Sequence, residues 1–505
     1  MKIEKIVIVG GGSSGWMTAS LIAKKLPHID LTVIEPKDIP TIGVGESTLG
    51  HINRYMEHIG ILGREKEWMP YCDATYKVSI QFTDFGKIGE RFQYPFGQMD
   101  YGDEIHLQDW MQIKAKYPDF EIPYSNFYNP ISYLADHNKM TFGSSVIRNY
   151  DFKFNTAYHF DSVKFGEWLK LNICVPAGVK VIKDHVTKIT SNENGIEFLQ
   201  LSESTKITAD LFIDCTGFKS LLLEEEMGSE YIGFDDVLPN DSAIATKIPY
   251  KNKEKEITNV TDCHAVKYGW IWDIPLWSRK GKGFVYSSKY LSKEEAKKQF
   301  KNYLSEQYPD VDSLEFVDIK MRHGKRKYAW IKNVVGVGLS YGFLEPLEST
   351  GLFTTHENAL TLVKTLERRS GFISKIDIDG YNYAVDHSIE WLKSFIQMHY
   401  ILSMREDSVY WKDQIYNSST SNIDFLHSTN INNVSKDVGG LNYISNGMGY
   451  HPIGNIETEF RLSDYEKERM EIIKNKSLQK DYQIKTRIKQ MDSTYDFLLK
   501  NIYTQ

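Results

Sequence analysis

Cysteine is scarce in this 505-residue chain: four residues, Cys72, Cys174, Cys215 and Cys263, with no two at metal-ligand spacing. So low a density excludes a disulfide framework and a Cys-type zinc site, and fits a reducing compartment. Long apolar runs are also missing. The opening MKIEKIVIVGGG has a four-residue apolar run before its glycines, too short for a secretory core, and no later run approaches the ~20 residues of a membrane span. A cytoplasmic protein without a membrane partner is expected. Charge of one sign is lacking too: 60 basic against 67 acidic residues leave a net charge of −7, which gives no basic footprint for nucleic acid. The histidines show no ligand spacing, so no metal is expected; His399 reads as a residue ordering a helix contact.

What is present is a globular composition, 41% hydrophobic and 25% charged, with 13% aromatic residues suited to planar ligands. The length exceeds one simple core and predicts two lobes. Residues 5–35 read as strand, tight turn, helix, strand: KIVIV, GGGSSG, WMTASLIAKKL and LTVIE. The apolar segments ADLFIDCTG (209–217) and KNVVGVGLS (332–340) end in small residues, as strands returning to one ligand edge would. The expected fold is therefore mixed α/β. A Rossmann-like lobe of discontinuous segments, about 1–80 and 155–365, joins a largely helical, loop-rich substrate lobe, about 81–154 and 366–505. Residues 412–446 read as irregular. Ser463 and Glu466 form a capping-box pattern, and Ile484, Ile488, Met491, Tyr495 and Leu498 repeat on one helical face.

Gly10, Gly12 and Gly15 form G-x-G-x-x-G between strand and helix, where backbone N–H groups at the helix N-terminus can take a pyrophosphate, with Ser13 and Ser14 of the turn as further cofactor candidates. Glu35 ends the second strand, the position of a ribose-binding acid. A second glycine stretch, TIGVGEST, and Asp214 in FIDCTGF favour FAD over NAD. For Asp214 a strand-end cap is the alternative.

The segments GGGSSGWM, IGVGEST, DATYKVSIQF, ADLFIDCTGF, GWIWDIPL, GKGFVYSS, NVVGVGLSYGFLEPLESTG and HYILSMREDSVYW stand in the order seen in the tryptophan halogenase family. The chain resembles these flavin-dependent halogenases over most of its length. The resemblance implies that reduced FAD, oxygen and halide yield hypohalous acid, which reaches a lysine and then an electron-rich aromatic substrate. Lys77 in DATYKVSIQF matches that lysine, acting as a haloamine or as a hydrogen-bond donor to the acid. An isolated lysine is more often a solvated surface residue.

Glu348 in EPLESTG matches the second catalytic residue, and Glu345 is its decoy. Ser349 is implied to hydrogen-bond near the substrate, and the backbone of Thr350 and Gly351 to hold the halide. Trp270 and Trp272 of GWIWDIPL match the pair that shields the flavin; a buried strand with both rings on one face explains the same spacing. The resemblance also assigns Glu46, Ser47, Val186, Leu339 and Leu352 to the cofactor, and implies a separate flavin reductase as partner. A homo-oligomer is left open.

Tryptophan halogenases carry an acidic, aromatic run that grips the free amino acid. The corresponding FLHSTNINNVSKDVGGLNYISNGMGYHP has no Glu and no Trp. An unpaired ammonium or carboxylate costs about 1–3 kcal/mol in a pocket, so an indole, phenol or similar ring other than free tryptophan is expected, with bromide or iodide favoured. The Gly, Asn and Ser content of 439–449 suggests a wider, less charge-selective mouth. Phe92, Tyr94 and Phe96 supply stacking for a substrate ring or packing between lobes. A tryptophan halogenase proper, a flavin monooxygenase and a silent flavoprotein are the alternatives.

Overall fold

A computed structural model describes residues 2–36, 45–100, 105–106, 109–202, 204–420, 439–450 and 463–504. The chain forms two compact units. The first comprises Met1–Ala74, Tyr158–Asp241 and Ile319–Lys393. Its six-stranded sheet is centred on Lys5–Val9, flanked in parallel by Asp30–Glu35 and Leu211–Asp214. Val334–Gly336 extends the parallel ladder, so both apolar segments foreseen from the sequence join this sheet. Ile6, Val7 and Ile8 are fully buried, each worth roughly 1.5–3 kcal/mol of apolar burial. Between the first strand and the Ser13–Lys25 helix, Gly10 turns the chain at φ +120°, where a Cβ would lie 2.2 Å from the Cys215 carbonyl oxygen. Only glycine fits that approach.

The second unit comprises Thr75–Ala157, Ser242–Asp318 and Ser394–Gln505. In its seven-stranded sheet, Phe316–Lys320, Ser242–Pro249, Arg279–Tyr286, Gly269–Pro275, Val260–Val266, Ser79–Thr83 and Arg91–Pro95 follow one another. Side chains alternate between faces and cross-strand partners share one. Trp270, Trp272, Ala265, Cys263, Phe82 and Phe92 therefore lie on one face. Ile271, Phe284 and Tyr286 lie on the other, packed with Ala296, Phe300 and Leu304 of the Lys293–Ser305 helix.

This placement changes two expectations. Residues 242–318, assigned from sequence to the nucleotide lobe, belong to the second unit, because their strands pair with Gly269–Pro275 and, through Val260–Val266, with Ser79–Thr83. The second unit consequently carries a large sheet beside its helices. Of residues 412–446, read as irregular, 412–416 lie in the Val409–Tyr416 helix and 439–446 in the Gly439–Gly447 helix.

The Ser463–Glu466 capping box is present on Asp464–Ile488. That helix stops at Ile488; Asp492–Ser493 pairs with Lys139–Met140, and Ser493 caps a new helix, Thr494–Leu498, so the five-residue face is split. Among the described residues no helix is long and apolar enough to cross a membrane.

Candidate functional site

The nucleotide end of the first unit is built from three loops. No side chain caps the Ser13–Lys25 helix, whose N-cap is Gly12, so its first N–H groups are left for an anion. A Cβ on Gly15 would sit 1.9 Å from the Gly10 carbonyl oxygen, whereas one on Gly12 would meet no protein atom within 4 Å. Gly15 is a packing glycine; Gly12 opens onto space. Gly338, at φ +69°, brings its turn against Ser14, whose hydroxyl lies 3.4 Å from that of Thr355. Ser13 donates its hydroxyl to the Ser162 carbonyl at 3.1 Å. Ser14, Leu339 and the helix bearing Leu352 and Thr355 are thereby gathered, as residues sharing one cofactor require.

Glu35 ends its strand and forms an ion pair with Lys170, and both are mostly buried. Lys170 also lies 5.2 Å from the Trp16 ring. Sequence reading missed it: a lysine 135 positions away carries no local signal. Asp214 is fully buried, and its two oxygens accept from Thr216 N–H and hydroxyl, Leu222 N–H, Leu223 N–H and Ser340 hydroxyl at 2.6–3.0 Å. Its side chain performs the strand-end cap. Val186 stands on a separate three-stranded sheet, packed against a cluster that includes Val7 and Val9. The glycine cradle, the uncapped helix and the acidic strand end fit an FAD.

Glu46 and Ser47 pair with Phe160 and His159. Burial, then the neighbouring Asp161 charge, pushes the Glu46 carboxyl up to about 7. Ser349 adopts the left-handed region at φ +56° and donates its hydroxyl to Ser47 at 3.0 Å, a contact not foreseen. It precedes the 19-residue Thr350–Arg368 helix but does not cap it, and a Cβ on Gly351 would meet no atom within 4 Å. N–H groups of Thr350 and Gly351 thus begin an uncapped helix beside open space, which suits a halide. Glu348 is 1% exposed on the preceding turn, Pro346–Glu348. Glu345 is also buried, but it accepts from the Asn240 amide at 2.6 Å and its carbonyl accepts from the Thr350 hydroxyl at 3.0 Å, so it braces the turn.

The remaining candidates lie on the second unit. Lys77 is 0% exposed, which removes the surface reading, and its ammonium stands 5.1 Å from the centroid of Phe96. Two residues earlier, Thr75 donates its hydroxyl to the Pro275 carbonyl at 2.6 Å, tying the lysine strand to Gly269–Pro275. Trp270 and Trp272 are buried, with ring centroids 6.2 Å apart. The Trp272 ring lies over Gly283, where a Cβ would be 2.0 Å from it.

Phe92 stacks on Phe82 at 5.1 Å, and Tyr94 lies 5.8 Å from Tyr443. Cβ atoms on Gly447 and Gly440 would meet Phe92 at 2.3 Å and Tyr94 at 2.7 Å. The space these two glycines leave is filled by the protein's own rings. His399 is buried against Phe82, with its Nδ1 3.1 Å from the Phe395 carbonyl oxygen. The part of the missing tryptophan grip at 425–438 lies outside the described residues. All four cysteines are buried free thiols.

A family model described as tryptophan halogenase matches residues 5–434. The chain is 35% identical over 432 residues to tryptophan 6-halogenase SttH of Streptomyces toxytricini, covering 81% of this chain and 80% of that protein. The solved apo structure of VirX1 superposes with a TM-score of 0.91 at 40% identity, covering 100% of this chain and 99% of the other. Tar14, a tryptophan C-6 flavin-dependent halogenase (chlorinase) from taromycin biosynthesis, superposes at 0.84 with 31% identity, over 98% and 99%.

Proposed function

Because the chain belongs to the tryptophan halogenase family and is a flavin-dependent halogenase using FAD and halide, we propose that it halogenates an electron-rich aromatic other than free tryptophan. A separate flavin reductase, in the cytoplasm, supplies the reduced cofactor. Reduced FAD, when bound, supplies with oxygen the two-electron oxidation of halide to hypohalous acid. The N–H groups of Thr350 and Gly351 hold the halide. Gly12, Ser13, Ser14 and Glu35 hold the dinucleotide, with Lys170 orienting the Glu35 carboxylate.

Lys77 receives the hypohalous acid. Its neutral amine takes the halogen cation with loss of water, or its ammonium donates a hydrogen bond to the acid oxygen. The aromatic ring then attacks the halogen, and the carboxylate of Glu348 accepts the proton that restores aromaticity. Glu348→Gln should slow halogenation about 10²-fold. Trp270 and Trp272 keep the organic substrate from the flavin.

The observation carrying this reading is the complete burial of Lys77 beside Phe96. The absence of Glu and Trp from 425–452 supports a substrate without a free amino-acid backbone. The test is a panel of indoles, phenols, pyrroles and anilines, each with chloride, bromide and iodide under a reductase system. Product should form on uncharged rings, with bromide or iodide ahead of chloride. Free tryptophan emerging as the best substrate, at a low KM and one ring position, would contradict the substrate assignment.

A further inference from the structure

On the helix-covered face of the seven-stranded sheet, Gln93, Gln81, Asp262, Asp273 and Lys282 occupy one register row across five strands. Hydrogen bonds run inward from the hairpin end. Ser79 donates its hydroxyl to Gln93 Oε1 at 2.7 Å, Gln93 Nε2 donates to Gln81 Oε1 at 3.0 Å, and Gln81 Nε2 donates to Asp262 Oδ1 at 3.1 Å. The Thr83 hydroxyl adds a bond to the same Asp262 oxygen at 2.8 Å. From the other end Lys282 pairs with Asp273 Oδ2 at 2.6 Å and lies 3.4 Å from Gln307 Oε1.

At the centre two carboxyl groups face each other, Asp262 directly opposite Asp273. Asp273 Oδ1 is buried and, among the described residues, accepts no hydrogen bond. Two ionised carboxylates there would repel across the strand pair and leave that oxygen unsatisfied, at about 1–3 kcal/mol for the orphaned acceptor alone. One proton removes both problems.

We propose that Asp262 and Asp273 share a single proton, carried on Asp262 and donated to Asp273 Oδ1, and that this bridge positions Trp270 and Trp272. The bridge fixes Val260–Val266 against Gly269–Pro275, and the reverse face of the latter strand carries both tryptophans. The same row ends at Gln93, between Phe92 and Tyr94, so it also braces the aromatic hairpin. Burial, with Asp273 adding to it, holds the Asp262 carboxyl above its ordinary range against the Thr83 and Gln81 bonds and the His264 ring. The other titratable groups facing the pair are Lys282 on the next strand and Tyr303 from the covering helix; Glu306 acts on Tyr303, and Asp84 lies 3.1 Å from His264 Nε2. The positioning role rests on the assignment of Trp270 and Trp272 to flavin shielding; the shared proton does not.

The test compares Asp262→Asn and Asp262→Leu with wild type in the full-length protein. Asparagine keeps the row intact, since its amide donates to Asp273 Oδ1 while its carbonyl accepts from Gln81 and Thr83. Infrared difference spectra of wild type minus Asp262→Asn at neutral pH should show a protonated carboxyl band; its absence overturns the shared proton. A raised carboxyl stabilises fully below its ordinary pKa of 3.8, and this contribution is lost as pH rises through the raised value. The Tm of Asp262→Asn relative to wild type should therefore increase with pH between 3.8 and that raised value, and a constant difference across this window counts against the proposal.

With the native cofactor system, Asp262→Leu should raise the fraction of reduced flavin consumed without halogenated product about tenfold, and Asp262→Asn should restore coupling. Wild-type coupling in a folded Asp262→Leu removes the positioning role. The infrared and melting arms hold whether or not the chain halogenates, so failure of the shared proton and failure of the halogenase substrate reading are told apart.

Discussion

Ser349 donates its hydroxyl to Ser47 at 3.0 Å, joining the turn before the Thr350–Arg368 helix to the short strand that begins at Glu46. The bond is buried, and Ser349 holds the left-handed conformation that starts the proposed halide loop. Removing either hydroxyl removes the same bond, worth about 1 kcal/mol. Ser47→Ala and Ser349→Ala should each raise the halide KM about fivefold. The double variant should be no worse than either single one, and strictly additive losses in a halide titration would show that the two serines act separately.

The two glycines of the nucleotide turn should fail in different ways. Gly15→Ala places a Cβ 1.9 Å from the Gly10 carbonyl oxygen, so it should unfold the turn and lower the Tm. Gly12→Ala meets no protein atom within 4 Å and should melt like wild type, yet lose FAD affinity because its methyl enters the pyrophosphate space. Calorimetry with an FAD titration checks both. Native FAD affinity in Gly12→Ala would move the pyrophosphate elsewhere.

Glu46 gives the stability a pH dependence of known sign. Its carboxyl is raised from 4.5 to about 7 by burial and Asp161, so its contribution is full below pH 4.5 and lost as pH rises through about 7. Glu46→Gln should flatten that part of the Tm-against-pH curve. A Glu46→Gln curve parallel to wild type across this window would mean that the carboxyl is ionised throughout.

Local pattern made the first unit legible. Strand, glycine turn, helix and strand occupy 31 consecutive residues, and the apolar segments 209–217 and 332–340 add parallel strands to the same sheet. The boundary of the second unit was not legible, because Ser242–Pro249 and Arg279–Tyr286 are ordinary strands whose sheet is chosen by long-range pairing. Lys170 and the Asp262–Asp273 row were hidden for the same reason: each partner lies on another strand or helix. Gly440 and Gly447 misled in the opposite direction. Their small size reads as open space in sequence, and in the fold it is filled by Tyr94 and Phe92.

Lys77→Ala separates the two halves of the reaction, since the lysine acts after hypohalous acid has formed. The measurement follows, in one reaction with reduced FAD, oxygen and halide, both the halide-dependent oxidation of the flavin and the halogenated aromatic product. The account predicts wild-type flavin oxidation, release of hypohalous acid to a diffusible trap, and loss of selective halogenation. Selective halogenation by Lys77→Ala at a near wild-type rate would contradict it.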